Sequence, residues 1–139
     1  MQSRDLSSTT APDAVSVLVV DDHPALGAGL NRLLDQEPGY RFLGAVSSEE
    51  ELAVALGHQR PDVVILDYAL SRGDGLSDDA LSRGDGLSAC FRLKQLPQPP
   101  GGILYSAYVD YVFAVPATVA QADAIVSKNA AVEVLLRAI

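Results

Sequence analysis

Polar residues that could do chemistry stand at the ends of four apolar segments of this sequence. They are Asp21 and Asp22 after VSVLVV, Asp67 at the end of DVVILD, Ser106 after GILY and Lys128 at the end of DAIVSK. If these segments are parallel strands of one sheet, their carboxyl ends meet at one edge. Three carboxylates brought together there would raise each other's pKa unless a cation joined them. Carboxylate oxygens suit Mg²⁺, and a lysine and a hydroxyl opposite the metal would complete a site that can neutralise an incoming phosphoryl group.

Strand and helix signals alternate along the chain and predict the elements that would position these residues. Apolar, β-branched segments predict five strands, at 15–20, 40–46, 62–67, 103–107 and 123–128. One helix is predicted to begin at Pro24 and another at the Ser48–Glu51 capping box. Two more are predicted over 88–96 and 130–139, the last with Asn129 as its N-cap. Such alternation implies right-handed βαβ units. The pattern therefore predicts an α/β protein with a flavodoxin-like, doubly wound, five-stranded parallel sheet and helices on both faces.

The segment YVDYVFAVPATVAQ (108–121) fits this scheme poorly as the remaining helix. It is rich in Val and Tyr and contains Pro116. An interior proline costs about 3 kcal/mol in a regular helix, because it removes a hydrogen bond and clashes with the preceding turn. We expect a helix here that is short, kinked or shifted.

Composition limits the compartment and the partners. The formal net charge is −8, which argues against this domain binding a nucleic-acid backbone by itself. No apolar run approaches the roughly 20 residues that cross a bilayer, and the N-terminus lacks the apolar core of a secretory signal. The single cysteine, Cys90, excludes an internal disulfide. We expect a cytoplasmic domain over residues 15–139, preceded by a flexible polar tail at 1–14, with no membrane partner.

Several motifs resemble the receiver domain of two-component response regulators. They are VLVVDDHPALGAGLNRLL, RPDVVILDYAL with a following GDGL, ILYSA and IVSK. The DDHP start and the spacing are most similar to the NarL/FixJ (LuxR-type) class of transcriptional regulators. The resemblance covers about Val15 to Ile139, which is nearly the whole chain.

The resemblance implies a phosphoacceptor switch, which assists its own phosphorylation and dephosphorylation, rather than an enzyme. Asp67 would take a phosphoryl group from a sensor histidine kinase or from a small donor such as acetyl phosphate. Asp22 and Asp67 would bind Mg²⁺ together with the backbone carbonyl of Ala69. Asp21 would act mainly through a metal-bound water.

The resemblance also assigns roles around the phosphoryl group. Lys128 would pair with its oxygens, and the Ser106 hydroxyl would hydrogen-bond to them. The aspartyl phosphate would bias a two-state equilibrium in the face made by the fourth helix, fifth strand and fifth helix. The output implied is transcription regulation through a C-terminal helix-turn-helix domain that is absent from this chain, and a homodimer is a further partner that the resemblance allows.

The sequence departs from the family's pattern in the loop after the third strand and at several single positions. ALSRGDGLS occurs at 69–77 and again at 80–88, which indicates an 11-residue duplicated insertion in the loop after the third strand. This loop is either harmless or a modulator of access to Asp67 or of dimer contacts. Ile125 stands where relatives often have an aromatic switch residue, and Ser71, Ala122 and Ala124 replace a common proline and two common glycines.

Two other functions stay open at this point. A receiver-like module that dimerises or binds partners without phosphorylation is favoured by the altered switch positions, but the complete cluster with Ser106 and Lys128 counts against it. A hydrolase with Asp67 as nucleophile, like the haloacid-dehalogenase-like phosphatases, would need a second Asp two positions later, where this chain has Ala69.

Overall fold

All five predicted strands are present and form one parallel sheet. The computed structural model describes residues 14–67, 85–106, 121–128 and 132–139, without the side chains of residues 85, 106 and 132. The elements are β1 (Val15–Val20), α1 (Pro24–Asp35), β2 (Tyr40–Val46), α2 (Glu49–Leu56), β3 (Val63–Asp67), α3 (Asp85–Lys94), β4 (Gly101–Ser106), β5 (Ala124–Ser127) and α4 (Val132–Ala138). The strand order is β2-β1-β3-β4-β5, and every neighbouring pair is parallel. The predicted doubly wound fold is confirmed.

The strand order reverses between β1 and β3. From β1 the chain moves outward to β2, and it then returns past β1 to continue in the other direction through β3, β4 and β5. In open α/β sheets, ligands bind beyond the carboxyl ends of the strands at such a reversal point. Asp21 and Asp67 stand at the carboxyl ends of these two strands.

Alternate residues of the strands build an apolar layer on each face of the sheet. Leu18 and Val20 of β1 pack in one layer with residues of α2 and α3. Val17 and Val19 pack in the other layer with residues of α1 and α4. All four side chains are at most 1% exposed. Because both faces are covered, the central strands β1, β3 and β4 are mostly apolar rather than alternating.

Helix α1 lies close against β2. A Cβ placed on Gly27 would come within 2.7 Å of the Ala45 Cβ, so only glycine allows this approach. The register of β1 and β2 shifts between Val17 and Leu18. The nearby Gly44 has a φ of +148°, a backbone conformation in which a residue with a side chain would be strained. This packing fixes the start of α1 beside the end of β1.

The predicted capping box begins α2, with one difference. The Glu51 backbone N–H donates to Ser48 Oγ at 3.1 Å, as predicted. The Glu51 carboxylate, however, accepts bonds from the backbone N–H and the hydroxyl of Ser47 at 2.7 and 3.0 Å. These bonds lower the pKa of Glu51. The Glu51 side chain thus accepts hydrogen bonds from the residue before the N-cap rather than from the N-cap itself.

Helix α3 differs from its predicted bounds of 88–96. It begins at Asp85, so it includes the last four residues of the second repeat copy, and it ends at Lys94. An aspartate suits a helix N-terminus, where it meets the positive end of the dipole. The early end follows from Pro97, because the residue before a proline disfavours the helical conformation.

Two strands begin one residue later than predicted, each directly after an aspartate whose backbone still bonds to the neighbouring strand. The predicted strand at 62–67 begins at Val63, and the Asp62 carboxylate accepts from the backbone N–H and hydroxyl of Ser16. The predicted strand at 123–128 extends only from Ala124 to Ser127, and the Asp123 carboxylate accepts from Lys94 and from the Gly102 N–H. Strand β4 begins two residues earlier than predicted, at Gly101.

Several expectations lie outside the described residues. These are the tail up to residue 13, the repeat as far as residue 84 with Ala69 and Ser71, the helix with Pro116, and Asn129. Helix α4 lies within the predicted 130–139. Among the described residues, none of the helices has the length and apolar character that a membrane span requires.

Candidate functional site

The acidic residues predicted from the sequence meet at the carboxyl edge of the sheet. Asp21 directly follows β1, and its backbone N–H continues the ladder to β2 by donating to the Val46 carbonyl at 2.9 Å. Asp67 is the last residue of β3. Asp21 and Asp67 are only 5% and 2% exposed, respectively, counted over the whole residue. Two buried carboxylates side by side are costly unless positive groups compensate them.

Lys128 supplies part of that compensation. Its Nζ lies 3.1 Å from Asp67 Oδ1 and 3.4 Å from Asp21 Oδ2. Burial alone would lower the pKa of Lys128, but its hydrogen bonds and charge interactions with Asp67 and Asp21 outweigh burial and raise it. The ammonium also lies 5.8 Å from the centroid of the Tyr105 ring, within reach of a cation–π interaction. Lys128 is thus held charged between two carboxylates.

His23 contacts the same carboxylates and that of Asp22. Its Nδ1 lies 3.0 Å from Asp21 Oδ1, 3.0 Å from Asp22 Oδ1 and 4.0 Å from Asp67 Oδ2. Its hydrogen bond to Asp21, together with the negative charges of Asp22, Asp21 and Asp67, raises the pKa of His23. Sequence reasoning did not single out His23. The available signal was its place directly after Asp21 and Asp22.

The donor set fits a divalent metal ion. One ligand atom from each of Asp21, Asp22, His23 and Asp67 can be chosen so that all lie within 4.8 Å of one another. We call the three carboxylates of this group the acidic pocket. Carboxylate oxygens are preferred by Mg²⁺, which keeps several waters and needs few protein ligands. The predicted convergence of Asp21, Asp22 and Asp67 is therefore present, whereas the Ala69 carbonyl lies outside the described residues.

Ser106 stands at the same edge of the sheet. It is the last residue of β4, and its Cα pairs with that of Ser127 in β5. The preceding residue, Tyr105, pairs with Asp67. The backbone of Ser106 is thus one residue beyond the pairing partner of Asp67, where the prediction requires it.

A cavity of about 380 Å³ opens beside the acidic pocket, between α1 and β2. Asp21, Asp22 and His23 line one end, and Phe42 and Asn31 are among its other lining residues. The cavity therefore reaches Asp21, Asp22 and His23, while Asp67 is not among its lining residues.

The chain matches one protein family over most of its length. The family profile of the response regulator receiver domain covers residues 17–139. Among curated relatives, the positive alginate biosynthesis regulatory protein of Pseudomonas aeruginosa is 33% identical over 98 residues, which are 70% of this chain and 35% of that protein. The DNA-binding transcriptional activator DevR/DosR of Mycobacterium tuberculosis is 37% identical over 62 residues, which are 45% of this chain and 29% of that protein. The chain thus spans about a third of the length of these relatives.

Solved structures agree with the family match. A two-component response regulator of the LuxR family from Aurantimonas has a TM-score of 0.74 at 24% identity, covering 89% of this chain and 81% of that one. A response regulator from Burkholderia pseudomallei, solved with a phosphorylated aspartic acid and a calcium ion, has a TM-score of 0.70 at 26% identity, covering 89% of this chain and 65% of that one. The chain therefore belongs to the response regulator receiver domain family of two-component signalling.

Proposed function

We propose that Asp67 is the phosphoryl acceptor of this receiver domain. The single observation that carries this assignment is the contact of 3.1 Å between the buried Asp67 carboxylate and the Lys128 ammonium. Asp67 ends a central strand beside this cation, and its ligand atom lies within 4.8 Å of those of Asp21 and Asp22, as a shared metal ion requires. The relative from Burkholderia pseudomallei, solved with a phosphorylated aspartic acid, supports the same chemistry.

Each residue has a defined part in the transfer. An Asp67 oxygen attacks the phosphorus, and the bond from phosphorus to the donor's nitrogen or oxygen breaks. Lys128 compensates charge on the phosphoryl oxygens, and the Ser106 hydroxyl donates a hydrogen bond to one of them. Asp22, Asp67 and the Ala69 carbonyl would hold Mg²⁺, with Asp21 acting through a water. When bound, Mg²⁺ would neutralise carboxylate and phosphoryl oxygens.

The partners follow from the family and from the charge of the chain. The donor is a sensor histidine kinase, or acetyl phosphate in its absence, and the domain is a switch rather than an enzyme. The output is transcription regulation. A separate DNA-binding domain would contact DNA, since the net charge of −8 opposes direct contact by this domain. The relative DevR/DosR is a DNA-binding transcriptional activator, which favours this output. The expected compartment is the cytoplasm, and a homodimer is a further expected partner.

Incubation with acetyl phosphate and Mg²⁺ tests the acceptor. We expect intact-mass spectrometry to show the gain of one phosphoryl group. Asp67→Asn should abolish this gain without unfolding the domain, whereas the control Asp35→Asn, at an exposed carboxylate ending α1, should keep it. Absence of labelling, together with no NMR response to beryllofluoride, would contradict the proposal and favour a phosphorylation-independent interaction module.

A further inference from the structure

We infer that the His23 imidazole is a further ligand for the cation of the acidic pocket, and that it shifts the preference of this pocket from Mg²⁺ towards first-row transition-metal ions. The inference rests on the proposed function, because it takes Asp22 and Asp67 as ligands of that cation. It adds a nitrogen donor to a site otherwise made of oxygens.

The separations between the ligand atoms carry the inference. In an octahedral site with ligands about 2.1 Å from the metal, adjacent ligand atoms are about 3.0 Å apart and opposite ones about 4.2 Å apart. His23 Nδ1 lies 3.0 Å from Asp22 Oδ1, which matches an adjacent pair. It lies 4.0 Å from Asp67 Oδ2, which is close to an opposite pair. Both separations from His23 Nδ1 thus match ligands of one ion, and one ligand atom from each of these residues lies within 4.8 Å of the others.

The backbone holds His23 in this position. Because Pro24 follows, the helical conformation is disfavoured, and His23 has an extended φ of −106° and ψ of 104°. Its backbone N–H donates to Asp21 Oδ1 at 2.7 Å. His23 is also the N-cap of α1, yet its side chain makes no capping hydrogen bond. The ring is directed at the carboxylates instead.

Access and chemistry favour a ligand role. The His23 side chain is 71% exposed, whereas that of Asp67 is 2% exposed, so an ion in solvent can reach the imidazole directly. Mg²⁺ prefers oxygen ligands, while Ni²⁺, Zn²⁺ and similar ions bind imidazole strongly. A nitrogen donor at this point therefore raises the affinity for transition-metal ions more than that for Mg²⁺.

Two measurements on the whole chain test the inference. Titration calorimetry in a weakly alkaline buffer compares Ni²⁺ with Mg²⁺, and pulsed EPR of bound Mn²⁺ detects a coordinated imidazole nitrogen. The variants are His23→Ala and His23→Gln, where the second keeps a side chain of similar size. The matched control is His58→Ala, because the chain has 2 histidines and His58 is exposed beyond the end of α2, away from the pocket.

We expect the imidazole coupling to Mn²⁺ in the wild type and in His58→Ala, and its loss in both His23 variants. The affinity for Ni²⁺ should fall at least about tenfold in those variants, since losing even an indirect supporting group costs that much. The affinity for Mg²⁺ should change by no more than about threefold.

The inference and the proposed function fail in different ways. If Mn²⁺ binds without imidazole coupling, or if Ni²⁺ and Mg²⁺ lose affinity equally, the role of His23 is overturned while the metal pocket and Asp67 stand. If the wild type binds none of the three ions and is not phosphorylated, both are overturned.

Discussion

Lys128 is the residue on which the charge balance of the site depends. The Asp21 and Asp67 side chains that it contacts are 1% and 2% exposed, so water screens their repulsion poorly. A buried carboxylate that loses its cationic partner keeps the full cost of its desolvation. The Tyr105 ring, 5.8 Å from the ammonium, limits where Lys128 can move. The same contacts that prepare Lys128 for a phosphoryl group thus also stabilise the fold.

Replacing Lys128 by Met should lower the free energy of unfolding by about 1–3 kcal/mol near neutral pH. Because folding raises the pKa of Lys128 above its ordinary value of 10.5, its contribution is complete below pH 10.5 and is lost as pH rises through the raised value. Urea unfolding of the wild type and the variant checks this, with Lys128→Arg as the charge-retaining control. A difference that persists unchanged at strongly alkaline pH would contradict the argument.

At the scale of elements, α1 offers a matched test of close packing. A Cβ on Gly27 would lie 2.7 Å from the Ala45 Cβ, whereas a Cβ on Gly29 would meet nothing within 4 Å. Gly27→Ala must push α1 away from β2 and should cost about 1–3 kcal/mol. Gly29→Ala should instead stabilise by about 0.5–1 kcal/mol, because alanine is the better helix former. Chemical denaturation of both variants measures this, and equal effects would refute the close approach.

The same scale shows what the sequence could and could not predict. The strands and the start of α1 follow from apolar segments and from Pro24, which are local signals. The predicted start of α3, at residue 88, was wrong. Asp-Gly-Leu-Ser occurs in both repeat copies and so does not mark a helix start, and Gly86 lowers the helix propensity of the second copy. The first turn is stabilised by tertiary packing instead, since its Leu87 packs against the buried core on this face of the sheet.

The site shows the same limit. Asp21, Asp67 and Lys128 were predictable because each ends or directly follows an apolar strand. The place of His23 was not, because the direction of an N-cap side chain depends on neighbouring carboxylates that the fold brings in from β3. A histidine next to two aspartates is a weak signal until the position of Asp67 is known.

For the molecule as a whole, the two edges of the sheet have different polar chemistry. At the amino edge, Asp62 and Asp123 accept several hydrogen bonds from backbone and side chains of neighbouring elements. Burial alone would raise the pKa of Asp123, but the bonds from Lys94 and the Gly102 N–H outweigh it and lower the pKa. At the carboxyl edge, Lys128 and His23 face three carboxylates. The first edge is built for stability and the second for an additional cation.

Global stability should therefore depend on divalent cations. A cation that binds the folded state alone, at a free concentration of about 100 times its Kd, adds about 2.7 kcal/mol. We expect thermal unfolding to shift upward with Mg²⁺ in the wild type and in Asp35→Asn. In Asp22→Asn the shift should be lost, while stability without Mg²⁺ should rise because one repelling charge is gone. Sodium chloride at equal ionic strength separates binding from screening. If sodium chloride reproduced the shift, or if Asp22→Asn kept it, the carboxyl edge would not be a cation site.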